Sequence, residues 1–384
     1  MENFDPGQVA QKILEAVRKE YRELTKLNVM VLGKTGVGKS TLINNMFLRK
    51  VAETGVGRPV TAGIRKIELP DYPMAVYDTP GLELSGEHDV DGLLEQVVGE
   101  IRKGFESGEI SQAIHCVWYC VSTPSHRFEE AEAEFLRRLL TGIEHFNAPV
   151  IVVLTQSYAK ADARALKAAI EKENLAIANV VPVLAEDYAI DEDYTARAYG
   201  LDRLSEVMNS VIPEAVQKTF IALQAASLEL KKGKARSVVA ASAATAAATG
   251  AVPIPFSDAA LLVPEQITML AGITAVFGIP MEKASLMAIV SATIGTTGAT
   301  VLGRSVVAGL FKLIPGAGSI AGGVISGATA AAITTALGEA YINILARVYT
   351  GEMKAADLTT PAGRAEITRA FRERLRGGQD RGRT

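Results

Sequence analysis

The residues best suited to chemistry lie together at Gly33–Ser40, which read GKTGVGKS. They match G-x-x-x-x-G-K-[ST], after an apolar run and before a helical pattern, the context this motif requires. Gly33, Gly36 and Gly38, with Lys34, Thr35 and Val37 between them, can bring backbone amides around phosphate oxygens. Lys39 is expected to reach the β- and γ-phosphates, and Ser40 to give its hydroxyl to Mg²⁺. Thr41 completes the expected binding set, and the helix N-terminus adds its positive dipole end. Asp78-Thr79-Pro80-Gly81 closes a second apolar run, MAVYD. Asp78 is placed to hold Mg²⁺ through water, and the Gly81 amide to sense a γ-phosphate. DTPG alone is an ordinary turn sequence; its separation from the phosphate loop gives it weight. Between the two lies VAETGVGRPVTAGIRKIELP, read as a loop leading into a strand. Thr61, just before that strand, is the expected Mg²⁺ and γ-phosphate contact, with Thr54 as its competitor. Lys39, Thr61 and Gly81 form the expected catalytic set; Ser40, Thr61 and Asp78 form the expected metal set.

GKTGVGKST, Thr61 and DTPG resemble the first three motifs of translation-factor-related GTPases of the Era type. The wording GKTGxGKS is also similar to that of septins and the chloroplast import-receptor GTPases. The resemblance spans about residues 27–212. It implies binding of GTP and GDP with Mg²⁺, two switch regions that respond to hydrolysis, and self-association through the G domain. Leu82 follows DTPG where Ras-type enzymes place the glutamine that orients water, and leucine cannot do that. Gly36 stands where potassium-activated relatives carry asparagine. Slow basal turnover is therefore expected, with a partner protomer as a candidate source of the water-positioning group.

The base end departs further. After the run VIVVLT the family expects Asn or Thr, Lys, any residue, then Asp. Here the residues are Thr155, Gln156, Ser157 and Tyr158. A tyrosine cannot reproduce a carboxylate's paired acceptors for guanine N1 and N2. Thr155 and Gln156 remain the expected contacts, with the Ala185 amide in the fifth motif, near VLAE. A septin-like AKAD ends at Asp162, four residues late for this loop; Asp162 reads better as the start of the next helix. A non-catalytic nucleotide-binding scaffold and a base-tolerant NTPase both stay open.

Positioning these residues requires a sheet. Apolar runs near NVMVL, IRKIEL, MAVYD, AIHCVWYCV, PVIVVLT and NVVPVL alternate with helical patterns beginning near Lys39, Asp91, Phe128, Ala161 and Leu201. That alternation predicts an α/β P-loop G domain, a doubly wound and mostly parallel sheet with its ligand at the carboxyl ends of the strands. Cys116 and Cys120 fall on one face of a strand, roughly 13 Å apart and beyond disulfide reach. The four histidines show no metal-ligand spacing. A formal net charge of -3 gives no general argument for nucleic-acid binding, and none is expected.

After Pro213 no further strand is evident. The expected division is an amphipathic helix over 1–25, a G domain over 26–213, an Ala/Gly-rich helical domain over 214–355 and a basic tail over 356–384. The segment from Ala215 reads as helix with a break at Gly233, and prolines at 253, 255, 264, 280 and 315 divide the remainder into shorter helical pieces. VPIPFSDAALLVPEQITML and LIPGAGSIAGGVISGATAAAITTALGEAY resemble the helical domain of unknown function that follows Era-like G domains in YcjF-type bacterial proteins. The layout is also similar to that of immunity-related GTPases, which implies an all-α domain built from the N-terminal helix and the C-terminal helices. Val9, Ile13, Leu14, Val17, Tyr21 and Leu24 would then find their partner there. About 20 uncharged residues separate Lys283 from Arg304 and about 26 separate Lys312 from Glu339, long enough to span a bilayer. Their Gly, Thr and Ser content makes insertion marginal. A tightly packed bundle, conditional membrane insertion and stable spanning all stay open. The arginine-rich tail from Gly363 is suited either to anionic lipid headgroups or to plain solvation. A cytoplasmic location is expected, and a peripheral position on the cytoplasmic face of a membrane stays open.

Overall fold

The apolar run of β1 (Leu27–Gly33) is buried along its whole length, as is β6 (Val150–Thr155); β1 is the central strand, and β6 an interior one, of the seven-stranded sheet that the described residues form. The computed structural model describes residues 6–50, 56–61, 64–69, 72–79, 87–250, 262–279, 282–294, 327–363, 365, 366 and 369. The other strands are β2 (Val56–Thr61), β3 (Ile64–Glu68), β4 (Met74–Asp78), β5 (Cys116–Ser122) and β7 (Asn179–Pro182). Their order is β2-β3-β4-β1-β5-β6-β7. The five strands from β4 to β7 run parallel, and β3 pairs antiparallel with both β2 and β4. Strands buried on both faces need apolar residues throughout, which is why β1, β5 and β6 show no alternation. Cys116 and Cys120 are both buried and free in β5.

The crossover helices are α2 (Lys39–Met46), α3 (Glu87–Glu106), α4 (Glu130–Ile143), α5 (Lys160–Lys172) and α6 (Leu201–Val211). Each begins within four residues of the position its periodicity predicts. Two strand features differ from the sequence reading. The stretch Val56–Thr61, read as loop, is an edge strand; Pro59 lacks an amide to donate, and an edge strand tolerates that. A register shift between Pro59 and Thr61 takes up the irregularity. A small hairpin, β8 (Tyr188–Ala189) with β9 (Thr195–Ala196), follows β7 and is too short to leave a sequence pattern.

The chain forms two compact units, Leu24–Ser227 and a second made of residues up to Glu23 with those from Leu228 on. Helix α7 (Glu214–Leu223) therefore lies with the sheet rather than with the helices that follow it. Its Phe220 ring meets Phe47 edge to face at 6.4 Å, and Leu48 N–H donates to Leu223 O at 2.9 Å. The helical break falls at Gln224–Ser227, not at Gly233. Gln224 turns extended, and its side-chain oxygen accepts from the Ala226 and Ser227 amides. Gly233 lies inside α8 (Leu228–Gly250).

The second unit contains α1 (Pro6–Arg22), α8, α9 (Leu262–Phe277), α10 (Lys283–Ile294) and α11 (Gly327–Tyr349). Its described elements are all helical: α1 packs on α9 and α10, and α8 packs on α9 and α11. Ala10 and Ile13 of α1 are buried, and Tyr21 Oη donates to Ala275 O at 3.4 Å. Glycine permits the closest approach in the bundle. A Cβ at Gly338 would lie 2.3 Å from Val239 Cγ2, and one at Gly327 2.3 Å from Ala247 O. Among the described residues no helix is long and apolar enough to cross a membrane. Only parts of the two uncharged stretches are described: Lys283–Ile294 in α10, and the end of the second in α11. Pro253, Pro255, Pro280 and Pro315 lie outside the described residues, as does most of the basic tail.

Candidate functional site

The parallel strands deliver their carboxyl ends to one edge of the sheet, where doubly wound folds bind ligands. β1 ends there at Gly33, whose φ is 145° and whose added Cβ would sit 2.5 Å from Cys120 O. No other residue fits that approach between β1 and β5. Gly36 (φ 78°) and Gly38 (φ 90°) turn the loop, and Gly38 caps α2. Val37 is buried beneath the loop, while Thr35, Gly36 and Ser40 are exposed. Lys39 Nζ donates to Gly33 O at 2.9 Å and Lys34 O at 3.2 Å. Its ammonium thus lies across the loop, where a bound anion would meet it.

Asp78 ends β4, in register with Val31 of β1. Burial pushes its carboxyl pKa up, opposed by the positive charges of Lys39 and Arg65. Its Oδ1 is buried and has no hydrogen-bond partner among the described residues. A buried carboxylate oxygen without a donor is costly unless a cation or water occupies its free side. The donor set is also that of a hard cation: a carboxylate at Asp78 and a hydroxyl at Ser40, both oxygen. These residues fit Mg²⁺. Thr79 backs the strand end, its amide and hydroxyl both reaching Val31 O at 3.4 Å. Thr61 is the last residue of β2, opposite Ile64; nothing is described of its side chain. Thr54, Gly81 and Leu82 lie outside the described residues.

At the base end the structure brings Gln156 to the phosphate loop. Gln156 adopts a left-handed conformation (φ 54°), and its Nε2 donates to Gly36 O at 3.0 Å. Its Oε1 accepts from Ser122 Oγ at 2.9 Å. Thr155 turns inward, its hydroxyl donating to Val121 O at 3.1 Å. Ser157 is fully buried, with its hydroxyl on Leu154 O and Thr123 Oγ1. The Tyr158 ring stacks on Tyr188 at 5.1 Å. Asp162 lies in the first turn of α5, where its carboxylate suits the helix dipole, 3.7 Å from His126 Nδ1. Ala185 follows Leu184, which is bridged to Tyr199.

One contact is absent from the sequence reading. Lys34 Nζ lies 2.7 Å from Glu129 and 3.6 Å from Glu132, at the start of α4. Those two acids form a capping box, and an E-x-x-E before an apolar helical pattern is its signal. The Lys34 pair lowers the Glu129 pKa, whereas burial raises that of Glu132.

A glycine-turned loop between a buried strand and a helix, with a lysine across it and an aspartate beside it, defines a P-loop nucleotide-binding domain. Residues 28–156 match the family described as 50S ribosome-binding GTPase, and residues 216–364 match the domain of unknown function DUF697. The chain thus joins a G domain homologous to GTPases to a DUF697 domain. It is 27% identical over 150 residues to human septin-9, covering 33% of this chain and 26% of that one. It is 26% identical over 156 residues to mouse neuronal-specific septin-3, covering 33% and 43%. The chain spans less than half the length of these curated relatives. Among solved structures, Era in complex with MgGDPNP and 16S ribosomal RNA nucleotides aligns with TM-score 0.31 and 20% identity over 50% of this chain and 58% of that one. Toc33 from Arabidopsis thaliana with Mg²⁺ and GMPPNP aligns with TM-score 0.31 and 18% identity over 56% and 93%.

Proposed function

We propose that this chain binds GTP with Mg²⁺ and hydrolyses it slowly, and that nucleotide state governs self-association. The observation that carries this reading is the buried Asp78 Oδ1, without a hydrogen-bond partner among the described residues, beside the phosphate loop that Lys39 crosses. The loop amides and Lys39 hold the phosphates, Ser40 and Asp78 hold the metal, and Gln156 ties the base loop to the phosphate loop. Mg²⁺, when bound, neutralises charge that develops on the transferring phosphoryl group. Slow hydrolysis follows from Leu82, which cannot orient water. Contact of the arginine-rich tail and the helical unit with anionic lipid, at the inner face of a membrane, belongs to the same proposal.

Single-turnover hydrolysis across protein concentrations tests it. The expected result is slow phosphate release that accelerates as concentration rises. No release at any concentration points instead to a nucleotide-binding scaffold, a reading that Leu82 leaves open.

A further inference from the structure

If the chain reads guanine, some group must accept from N1–H and the 2-amino group, and Tyr158 is turned away onto Tyr188. Two neighbouring candidates are hydrogen-bonded elsewhere, and a third lies on a helix. The Gln156 amide uses both its ends on Gly36 and Ser122. Asp162 sits in the first turn of α5, where its carboxylate serves the helix dipole, with His126 Nδ1 at 3.7 Å. Asp187 accepts from Arg197 at 2.6 Å and from the Ala198 amide at 2.8 Å. Glu186 differs: it is exposed, directly follows Ala185, and makes no hydrogen bond or ion pair among the described residues.

The backbone around Glu186 is held against the base loop. Leu184 and Tyr199 exchange both backbone hydrogen bonds, at 3.0 and 2.9 Å, and Tyr199 Oη donates to Ser157 O at 2.8 Å. The Ser157 amide donates to Val183 O at 3.1 Å, and Tyr188 is pinned by the Tyr158 ring. The short segment between Leu184 and Tyr188 therefore runs alongside Ser157 and Tyr158. A carboxylate on that segment offers the two acceptor oxygens that the tyrosine lacks.

We propose that Glu186 is the specificity-determining residue of the base end, accepting from guanine N1–H and the 2-amino group. Tyr158 and Tyr188 act as a stacked brace that positions its loop. This rests on the proposed GTP-binding function and deepens it.

The test is equilibrium competition of GTP, ITP and ATP with Mg²⁺ on the full chain. ITP lacks the 2-amino group, so the ratio of GTP to ITP affinity reads the acceptor directly. The wild type should favour GTP over ITP by about tenfold, as expected when a site's charged acceptor is left unpaired. Glu186→Gln should reduce that ratio to within about twofold, and Asp162→Asn should leave it unchanged. Glu186 is exposed and Asp162 half-buried, and thermal melting confirms that the variants fold. A Glu186→Gln protein that keeps the wild-type ratio overturns the assignment while leaving GTP binding intact. So does an Asp162→Asn protein that loses the ratio, or a wild type that binds GTP and ITP equally. A wild type that binds no nucleotide overturns the functional reading itself.

Discussion

Asp78, proposed to hold Mg²⁺, shows how a buried side chain can oppose folding. Burial raises its pKa above the unfolded value, so the fold favours the protonated form. Its favourable contribution is therefore complete below the unfolded aspartate range and is lost as pH rises through the raised value. At neutral pH the metal-free domain holds a charge it would rather shed. Asp78→Asn should raise the metal-free melting temperature by about 2–4 °C, for a gain on the order of 1 kcal/mol, and flatten its dependence on acid pH. The same variant should lose the Mg²⁺ dependence of nucleotide binding. Calorimetry across pH, with and without Mg²⁺, reads both effects; a lower melting temperature in metal-free buffer would argue that Asp78 is structural. Asp78 is legible in the sequence because DTPG closes an apolar run. Glu186 is not, because a single acid in a loop has no spacing to betray it. It stands out only once Gln156 and Asp187 are seen to be hydrogen-bonded and Asp162 to lie in the first turn of α5.

Among the elements, the helices with strong apolar periodicity are readable and the irregular ones are not. Strand β2 hides behind Gly57 and Pro59, whose backbone constraints suit only an edge. The turn at Gln224–Ser227 hides because it is built by a glutamine side chain rather than by glycine or proline. In the helical unit, α8 and α11 approach through small residues. Gly338→Val would drive its side chain into Val239, a stiff β-branched neighbour. The expected loss is about 1–3 kcal/mol, seen as a lower denaturation midpoint. An unchanged midpoint would mean that the helices are not held that closely.

Lys231 of α8 is fully buried in the same bundle. It donates to Val276 O at 3.1 Å and lies 5.5 Å over the Tyr349 ring. Burial pushes its pKa well below the usual 10.5, so the unfolded chain binds more protons than the fold. Stability should then rise with pH between the depressed folded value and the ordinary lysine value. Lys231→Met should remove that slope and stabilise the bundle by on the order of 1–3 kcal/mol. A destabilised variant with the slope intact would contradict this.

At the scale of the molecule, the change from mixed α/β sequence to an Ala/Gly-rich one announces two kinds of structure, but not where one ends. α7 reads as part of the helical run, yet Phe220 and Thr219 tie it to Phe47 and Thr25 in the sheet unit. Only packing places that boundary. The glycine-turned loop at Gly33–Ser40 and the strand end at Asp78 are legible, because glycines, lysine and aspartate recur there at set spacings. The base end is not, because several side chains can present the same acceptors.

Everything proposed for this chain depends on the phosphate loop and Asp78 forming a Mg²⁺-dependent GTP site. The decisive measurement is titration calorimetry of GTP into the nucleotide-free full chain, with Mg²⁺ and with EDTA, run beside Lys39→Ala. Saturable one-to-one binding in Mg²⁺ is expected, with affinity at least about tenfold weaker in EDTA and no measurable binding to the Lys39→Ala protein. Equal affinity with and without Mg²⁺, or undiminished binding by Lys39→Ala, would contradict it.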